Sequence, residues 1–309
     1  MATGPLPASP SEVLALTAAG AEALLSELER KVPTRPTLVE LGAISGGRAF
    51  VFGDSHGDWR STLEVVRAFE EAGPPSILIG LGDYVDRPPR DCPCGSVANA
   101  LFLLALEARY PSRVYLIQGN HETVRRIPAS PHHLPAEVAR LWGPSEDRYD
   151  RLMGLLERGP IALSALGCGG YFAHAGFPRG ALPRPWSEAF RDLSVERLTE
   201  IVWSECDGSK TRRGAIEAWG AGDLERFLRA SGLVTVWRGH DPDVAGRPLY
   251  EGRVMTLHTT RVYERYGGVV AAVLPLDRTL ARVTDAELRH LATESPPARP
   301  GASRADRPD

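Results

Sequence analysis

The sequence predicts an α/β fold on two observations. Short apolar runs of strand length recur along the chain, each closing on glycine or a turn residue. Segments with helical periodicity lie between them, notably Ser61 to Glu71 and Ser96 to Ala108. A third observation bears on function: six of the runs lead straight into side chains that bind metals or carry protons.

In chain order, apolar Val13, Leu14, Leu24, Leu25 and Leu28 recur at helical spacing between Ser11 and Lys31, and Pro33 closes the pattern. This predicts one helix and assigns residues 1–34 to an N-terminal helical segment packed on the outside of the domain. Ala49 to Phe52 then runs into Gly53-Asp54-Ser55-His56-Gly57-Asp58. Ile77 to Ile79 leads to Gly82-Asp83-Tyr84-Val85-Asp86-Arg87, and Val114 to Ile117 leads to Gly119-Asn120-His121-Glu122. Tyr171 to Ala173 meets His174-Ala175-Gly176, Leu233 to Trp237 leads to Arg238-Gly239-His240, and Val254 to Leu257 ends at His258. A buried strand needs apolar residues, but nothing in core formation asks for Asp, His or Asn just past its end. Ligands do gather there, where loops leave the strands of an α/β sheet. No internal repeat or long linker divides the chain, so one domain is expected over 35–293. The tail 294–309, rich in Pro, Arg, Ser and Asp, has little to bury and is expected to be disordered.

Composition removes several classes. With 309 residues, 43% hydrophobic and 24% charged, the chain is long enough for a substantial core and ordinary for a soluble protein. A net charge of −3 leaves no basic footprint for nucleic acid. Only Lys31 and Lys210 are lysines among the 36 basic residues, a skew that codon bias explains alongside the many Ala, Gly and Pro residues. No stretch reaches the roughly 18 apolar residues of a membrane span, and Met1 to Pro10 lacks the features of a secretory leader. A cytoplasmic setting is therefore expected, with Cys92, Cys94, Cys168 and Cys206 as reduced thiols. Cys92-Pro93-Cys94 lacks the two-residue spacer of redox and zinc pairs and is read as two loop thiols.

Taken singly, His174 or His240 would be a hydrogen-bonded core histidine, Asn120 a turn former, and Asp54 or Asp83 a helix cap. As a set, Asp54, His56, Asp83, Asn120, His174 and His240 combine carboxylates, an amide oxygen and imidazoles, with no thiolate. That mixture suits manganese, iron or zinc better than an all-oxygen calcium or magnesium site. Six donors exceed the needs of one tetrahedral ion, and Asp83 can bridge two. Two divalent ions about 3.5–4 Å apart would acidify a shared water and clamp an in-line displacement at phosphorus. No Cys or Ser nucleophile motif is present, which favours direct attack by an activated hydroxide over a covalent phosphoenzyme.

The segments 53–58, 82–87 and 119–122 together resemble the signature of the phosphoprotein phosphatase family of serine/threonine phosphatases, and the resemblance spans roughly residues 48–275. It continues through His174-Ala175-Gly176, Trp203-Ser204, Arg213-Gly214, Trp219-Gly220 and Arg238-Gly239-His240. It implies a calcineurin-like metallophosphoesterase fold, a central β-sandwich flanked by helices with two metals at one edge. By position, Asp54, His56 and Asp83 match the ligands of one ion, and Asp83, Asn120, His174 and His240 those of the other. His121 matches the general acid and Asp86 its orienting carboxylate. Arg87 and Arg213, with Asn120, match the groups that hold the phosphoryl oxygens. His258 falls outside the ligand positions and is expected to lie behind them or to be structural. These roles are chemically coherent: guanidinium forks suit a phosphate dianion, and a basic alkoxide leaving group needs a proton.

The chain also departs from the family pattern. Pro88 replaces the glycine after Arg87 and opens the inserted-looking segment 88–95, and Gln118 stands where an arginine is common. Thr259-Thr260-Arg261-Val262-Tyr263 replaces a Ser-Ala-Pro-Asn-Tyr loop, with Tyr263 expected to keep the tyrosine's place over the site. These departures, with the composition, look bacterial. His132, His133 and His290 are expected to be solvated, Trp203, Trp219 and Trp237 to pack in the core, and Arg125 to Gly159 to form a wall beside the site. The expected function is removal of phosphate from serine or threonine in a phosphoprotein or phosphopeptide, with two divalent ions, Mn²⁺ before Fe or Zn. A diadenosine tetraphosphate or other nucleotide hydrolase on the same site is the alternative. A catalytically inactive binding module is the third reading, although no ligand or acid is missing.

Overall fold

Most of the strand-length runs are apolar on both faces, so a sheet built from them must be covered twice. A computed structural model describes residues 6–209 and 218–291, and Arg213 and the tail 294–309 lie outside the described residues. In chain order the elements are α1 (Pro10–Leu14), α2 (Ala18–Lys31), β1 (Leu38–Leu41), β2 (Arg48–Phe52), α3 (Trp59–Ala72), β3 (Ile77–Gly80), α4 (Gly95–Arg109) and β4 (Val114–Leu116). There follow α5 (Leu134–Trp142), α6 (Glu146–Leu156), β5 (Ala162–Ala165), β6 (Gly170–Ala173), α7 (Val195–Val202), α8 (Ala221–Ser231), β7 (Thr235–Arg238), β8 (Val254–Thr256), α9 (Glu264–Gly267), β9 (Val270–Pro275) and β10 (Glu287–His290). No helix among the described residues is long and apolar enough to cross a membrane.

The strands form two five-stranded sheets, ordered β1-β5-β6-β7-β8 and β10-β9-β2-β3-β4. Alternation along each strand assigns its two faces. Ala49 and Val51 of β2, Val270, Ala272 and Leu274 of β9, Phe172 of β6 and Trp237 of β7 pack together between the sheets. Phe50 and Phe52 of β2 turn the other way, onto a core shared with α1 to α6. Tyr171 and Ala173 of β6 face a third core with α7 and α8. The architecture is a sandwich of two mixed sheets with helices on both outer faces, the layering expected from the sequence.

The N-terminal segment differs from expectation in one respect. The single helix predicted over Ser11 to Lys31 is two, because the Thr17 hydroxyl accepts the Gly20 N–H at 3.1 Å and caps a fresh start. Val13, Leu24, Leu25 and Leu28 are buried as their spacing predicts. Arg148 and Arg151 of α6 pair with Glu22 and Glu29 of α2, which ties this segment to the body.

The parallel pairings place one edge in charge of the chemistry. β2, β3 and β4 run parallel in one sheet, and β6, β7 and β8 run parallel in the other, so their carboxyl ends share an edge. There the sheets meet closely: Thr259 N–H, beyond β8, donates to Asp54 O, beyond β2, at 2.9 Å, and Asp54 and His258 form an isolated bridge. Gly53 is required at this junction, since a Cβ there would lie 1.7 Å from the Leu257 carbonyl oxygen. Replacing Phe172 by Ala removes a fully buried ring from between the sheets and is expected to cost about 3–5 kcal/mol. Leu166→Ala, at a residue 58% exposed, should stay within about 0.5 kcal/mol. Urea unfolding of both variants checks the contrast.

Candidate functional site

The loops leaving β2, β3, β4, β6 and β7 bring Asp54, His56, Asp83, Asn120, His174 and His240 into one buried cluster. Two triads, His56-Asp83-His121 and Asp54-Asp83-His174, each present three ligand atoms within 4.8 Å of one another, with Asp83 common to both. Backbone hydrogen bonds set this geometry: Ser55 and His56 N–H both donate to Asp83 O, and Gly57 N–H to Tyr84 O. The His240 N–H donates to Asp54 Oδ1 at 2.8 Å, and His121 N–H to Asp83 Oδ1 at 3.1 Å. His56, Asp83, Asp86, Arg87 and His240 all have positive φ, between 44° and 70°. L-residues rarely adopt that region, and such strain concentrates where a surrounding structure imposes it for function.

The electrostatics of the cluster show what its donors would accommodate. His56 Nδ1–H donates to Val85 O and His174 Nδ1–H to Leu81 O, both at 2.9 Å, so each Nε2 carries a lone pair. Burial keeps both rings neutral, with the His56 pKa pushed down to about 3 and that of His174 lowered. Their approaches to carboxylates, such as 3.6 Å from His56 Nε2 to Asp83 Oδ2, are therefore not ion pairs. His174 Nε2 instead faces Asn120 Oδ1 at 2.9 Å and Asp83 Oδ1 at 3.5 Å, one electron-rich atom against two others. His240 Nδ1 lies 3.1 Å from Asn120 Oδ1 and 3.2 Å from His174 Nε2, and a proton there can satisfy only one of these two acceptors. Buried carboxylates and lone pairs directed at one another are costly unless cations lie among them. The donors present fit divalent metals.

Beside the cluster stands a second arrangement. His121 Nδ1–H donates to Asp86 Oδ2 at 2.6 Å, and its ring lies 5.2 Å from that of His56. His121 Nε2 is buried and has no hydrogen-bond partner among the described residues. Burial opposes a charge on His121, but the carboxylates of Asp83 and Asp86 outweigh it and raise the pKa above the ordinary 6.5. Arg87 Nη1 donates to Tyr263 Oη at 3.0 Å and to His56 Nε2 at 3.2 Å, so the fork is held at the mouth. The Tyr263 ring lies edge-on to those of His56 and His258, 5.7 and 5.4 Å away. His258 sits beside Asp54, its Nε2 3.7 Å from Asp54 Oδ2.

Several residues enter the site that sequence reasoning did not assign. Glu122 accepts N–H groups from Asp83, Tyr84 and Gly119 at 2.7–2.9 Å and so locks the β3 loop to the β4 loop. Burial and the nearby Asp83 charge push its pKa up to about 7. It stands inside a recognised segment, and a carboxylate in so tight a loop is its signal. Asp58 caps α3 and receives a two-pronged pair from Arg261, which also binds Asp91. That pin fixes the loop carrying Tyr263. His132, expected to be solvated, is instead part-buried, with Nδ1 2.9 Å from Asp86 Oδ2, because the turn before α5 wraps over Asp86. His133 and His290 are exposed, as expected. Gln118 is turned away, donating to Glu157 O and Gly159 O. Cys92 and Cys94 are free but buried, and burial, with Asp58 nearby, pushes the Cys92 thiol up to about 11. Trp219 and Trp237 are fully buried, as expected, whereas Trp203 is half-buried with its ring 5.6 Å from that of His240.

A model of the family described as calcineurin-like phosphoesterase matches residues 47–243. The serine/threonine-protein phosphatase 4 catalytic subunit of Candida glabrata is 29% identical over 245 residues, covering 75% of this chain and 75% of that protein. A protein of Encephalitozoon cuniculi named as a probable serine/threonine-protein phosphatase is 29% identical over 235 residues, 71% of this chain. The chain spans about half the length of that relative, 48%. Among solved structures, a protein serine/threonine phosphatase from Saccharomyces cerevisiae with similarity to human phosphatase PP5 superposes with a TM-score of 0.71 at 23% identity. The match covers 91% of this chain and 92% of that one, and establishes the shared fold.

Metal binding is expected to stabilise the native protein without reference to turnover. A site filled at about a hundred times its Kd adds about 2.7 kcal/mol, so Mn²⁺ should raise Tm and a chelator should reverse the rise. Asp83→Asn, which alters the donor common to both triads, should abolish most of the shift; calorimetry with and without the ion measures it.

Proposed function

The chain belongs to the calcineurin-like phosphoesterase family, and from that premise we propose that it is a protein serine/threonine phosphatase, hydrolysing phosphoserine and phosphothreonine monoesters. The family's fold implies a dinuclear divalent metal centre. Asp54, His56 and Asp83 would hold one ion, and Asp83, Asn120, His174 and His240 the other. Mn²⁺ is the proposed metal, with iron or zinc as substitutes, because the donors are oxygens and imidazoles. When bound, the ions acidify water and neutralise charge on the phosphoryl group. Four free, buried thiols support a reducing, cytoplasmic setting.

The observation that carries the reading is the His121–Asp86 pair beside the donor cluster. A serine alkoxide is too basic to leave unprotonated. His121 Nε2, buried beside the cluster, is the atom that gives the leaving oxygen its proton, while Asp86 holds the opposite nitrogen and fixes the ring. Arg87, braced by Tyr263, binds phosphoryl oxygen with its remaining N–H groups, and Arg213 is proposed as its companion. His258, next to Asp54, steadies that carboxylate rather than binding metal.

With Mn²⁺, the protein should hydrolyse p-nitrophenyl phosphate and phosphoserine peptides, with higher kcat/KM on the peptide than diadenosine tetraphosphate shows. A preference for the dinucleotide would favour the nucleotide hydrolase, and no turnover of any would count for an inactive module. His121→Asn should cut peptide turnover by about 10²–10⁴ while metal content stays normal. The pH profile has a definite sign. A raised His121 pKa carries the loss of the acid form to higher pH, so peptide turnover should fall as pH climbs past a midpoint above 6.5. Asp86→Asn removes one of the two carboxylates that oppose burial, so that limb should move to lower pH; kcat/KM against pH measures the displacement.

A further inference from the structure

Asp86 is held by more than the histidine it serves. Its Oδ2 accepts from His121 Nδ1 at 2.6 Å and from His132 Nδ1 at 2.9 Å. Its Oδ1 accepts the backbone N–H groups of His133 at 2.5 Å and Leu134 at 2.9 Å, at the start of α5. A carboxylate offers about four acceptor positions, so Asp86 is saturated and cannot turn without breaking one of these bonds. Because Asp86 accepts only, the proton of His132 lies on Nδ1. Its Nε2 is then the acceptor for the Tyr149 hydroxyl, 2.9 Å away on α6. The chain of donation runs Tyr149 to His132 to Asp86, where it meets the bond from His121. Asp86, His121 and His132 lie close enough to hold an ion, but every one of their facing atoms is committed to these hydrogen bonds.

The two imidazoles play different parts. His121 has its far nitrogen buried and without a partner beside the donor cluster, whereas the far nitrogen of His132 is occupied by Tyr149. His132 therefore has no free atom for a substrate. The same turn reaches the phosphate side: the Ser130 carbonyl accepts from Arg87 Nη2 at 3.4 Å. Nothing in core packing demands His132, which is only part-buried and stands before α5 rather than within it.

We propose that His132, oriented by Tyr149, is a positioning residue that shares the Asp86 carboxylate with His121 and holds it in the one orientation that aligns His121 for proton donation. This rests on the reading of His121 as the acid. A misplacement of even about 1 Å in a catalytic group can cost on the order of a hundredfold. The effect must be selective, because a nitrophenolate departs without a proton and a serine alkoxide does not.

The test compares kcat and KM on a phosphoserine peptide and on p-nitrophenyl phosphate in the Mn²⁺-loaded protein. His132→Ala should lower kcat on the peptide by about tenfold or more, part of the ~10²–10⁴ that positioned proton transfer supplies, with KM unchanged. On p-nitrophenyl phosphate the same variant should stay within about twofold of the parent protein. His132→Asn, whose amide N–H can replace Nδ1–H, should recover most of the peptide rate. Tyr149→Phe should show a smaller loss of the same kind, and keeps the test available if His132→Ala does not fold. Equal losses on both substrates, or none on either, would overturn the proposal. His121→Asn separates it from the reading beneath: a peptide-selective loss there without one in His132→Ala overturns this inference alone. No selective loss in His121→Asn overturns both.

Discussion

Everything at this edge of the sandwich answers to one constraint: carboxylates, an amide oxygen and imidazole lone pairs are confined together where water is scarce. His174 Nε2 faces Asn120 Oδ1 and Asp83 Oδ1 with no proton of its own to offer either. Such a cluster is tolerable only around cations, and only if the backbone cannot spring apart. The second condition accounts for the left-handed residues, for the glycine at 53, and for Glu122 tying two loops through three N–H groups. The strain at five site residues is supported by the packing of ordinary strands beneath them.

Around that centre the supports are graded by distance. Directly behind the donors lie His258 against Asp54 and Asp86 against His121. Farther out, Arg261 bonds Asp58 and Asp91 at once, and fixes the loop from which Tyr263 braces Arg87. The turn before α5 and the face of α6 reach in to Asp86, and α6 is itself paired to α2 through arginines. The helices that cover the sheet on this side thus supply part of the framework around Asp86 and His121. A preorganised site of this kind loses little at the moment of reaction, because its dipoles and charges are already placed.

The centre is legible in the sequence and the supports are not, for a physical reason. A strand end announces itself through an apolar run followed by glycine and a carboxylate, amide or imidazole, so Asp54, Asp83, Asn120 and His240 stand out on spacing alone. Periodicity likewise marks the parallel strands that lead into the cluster and the helices at α3 and α4. His132 lies in a stretch without periodicity, and only the wrap of a turn over Asp86 gives it meaning. The break between α1 and α2 is hidden because Thr17 is a modest helix former whose contribution here is its cap. Gln118 stands where an arginine is common, yet its amide serves the backbone of the 157–159 turn. Long-range hydrogen bonds leave little trace in local spacing.

The account stands or falls on cations in the cluster. Crystals grown with Mn²⁺ and measured above and below the manganese absorption edge address this directly. Two anomalous peaks are predicted, one against Asp54, His56 and Asp83 and the other against Asp83, Asn120, His174 and His240. Density free of anomalous signal there, with these side chains bonded only to one another and to water under excess metal, would contradict it.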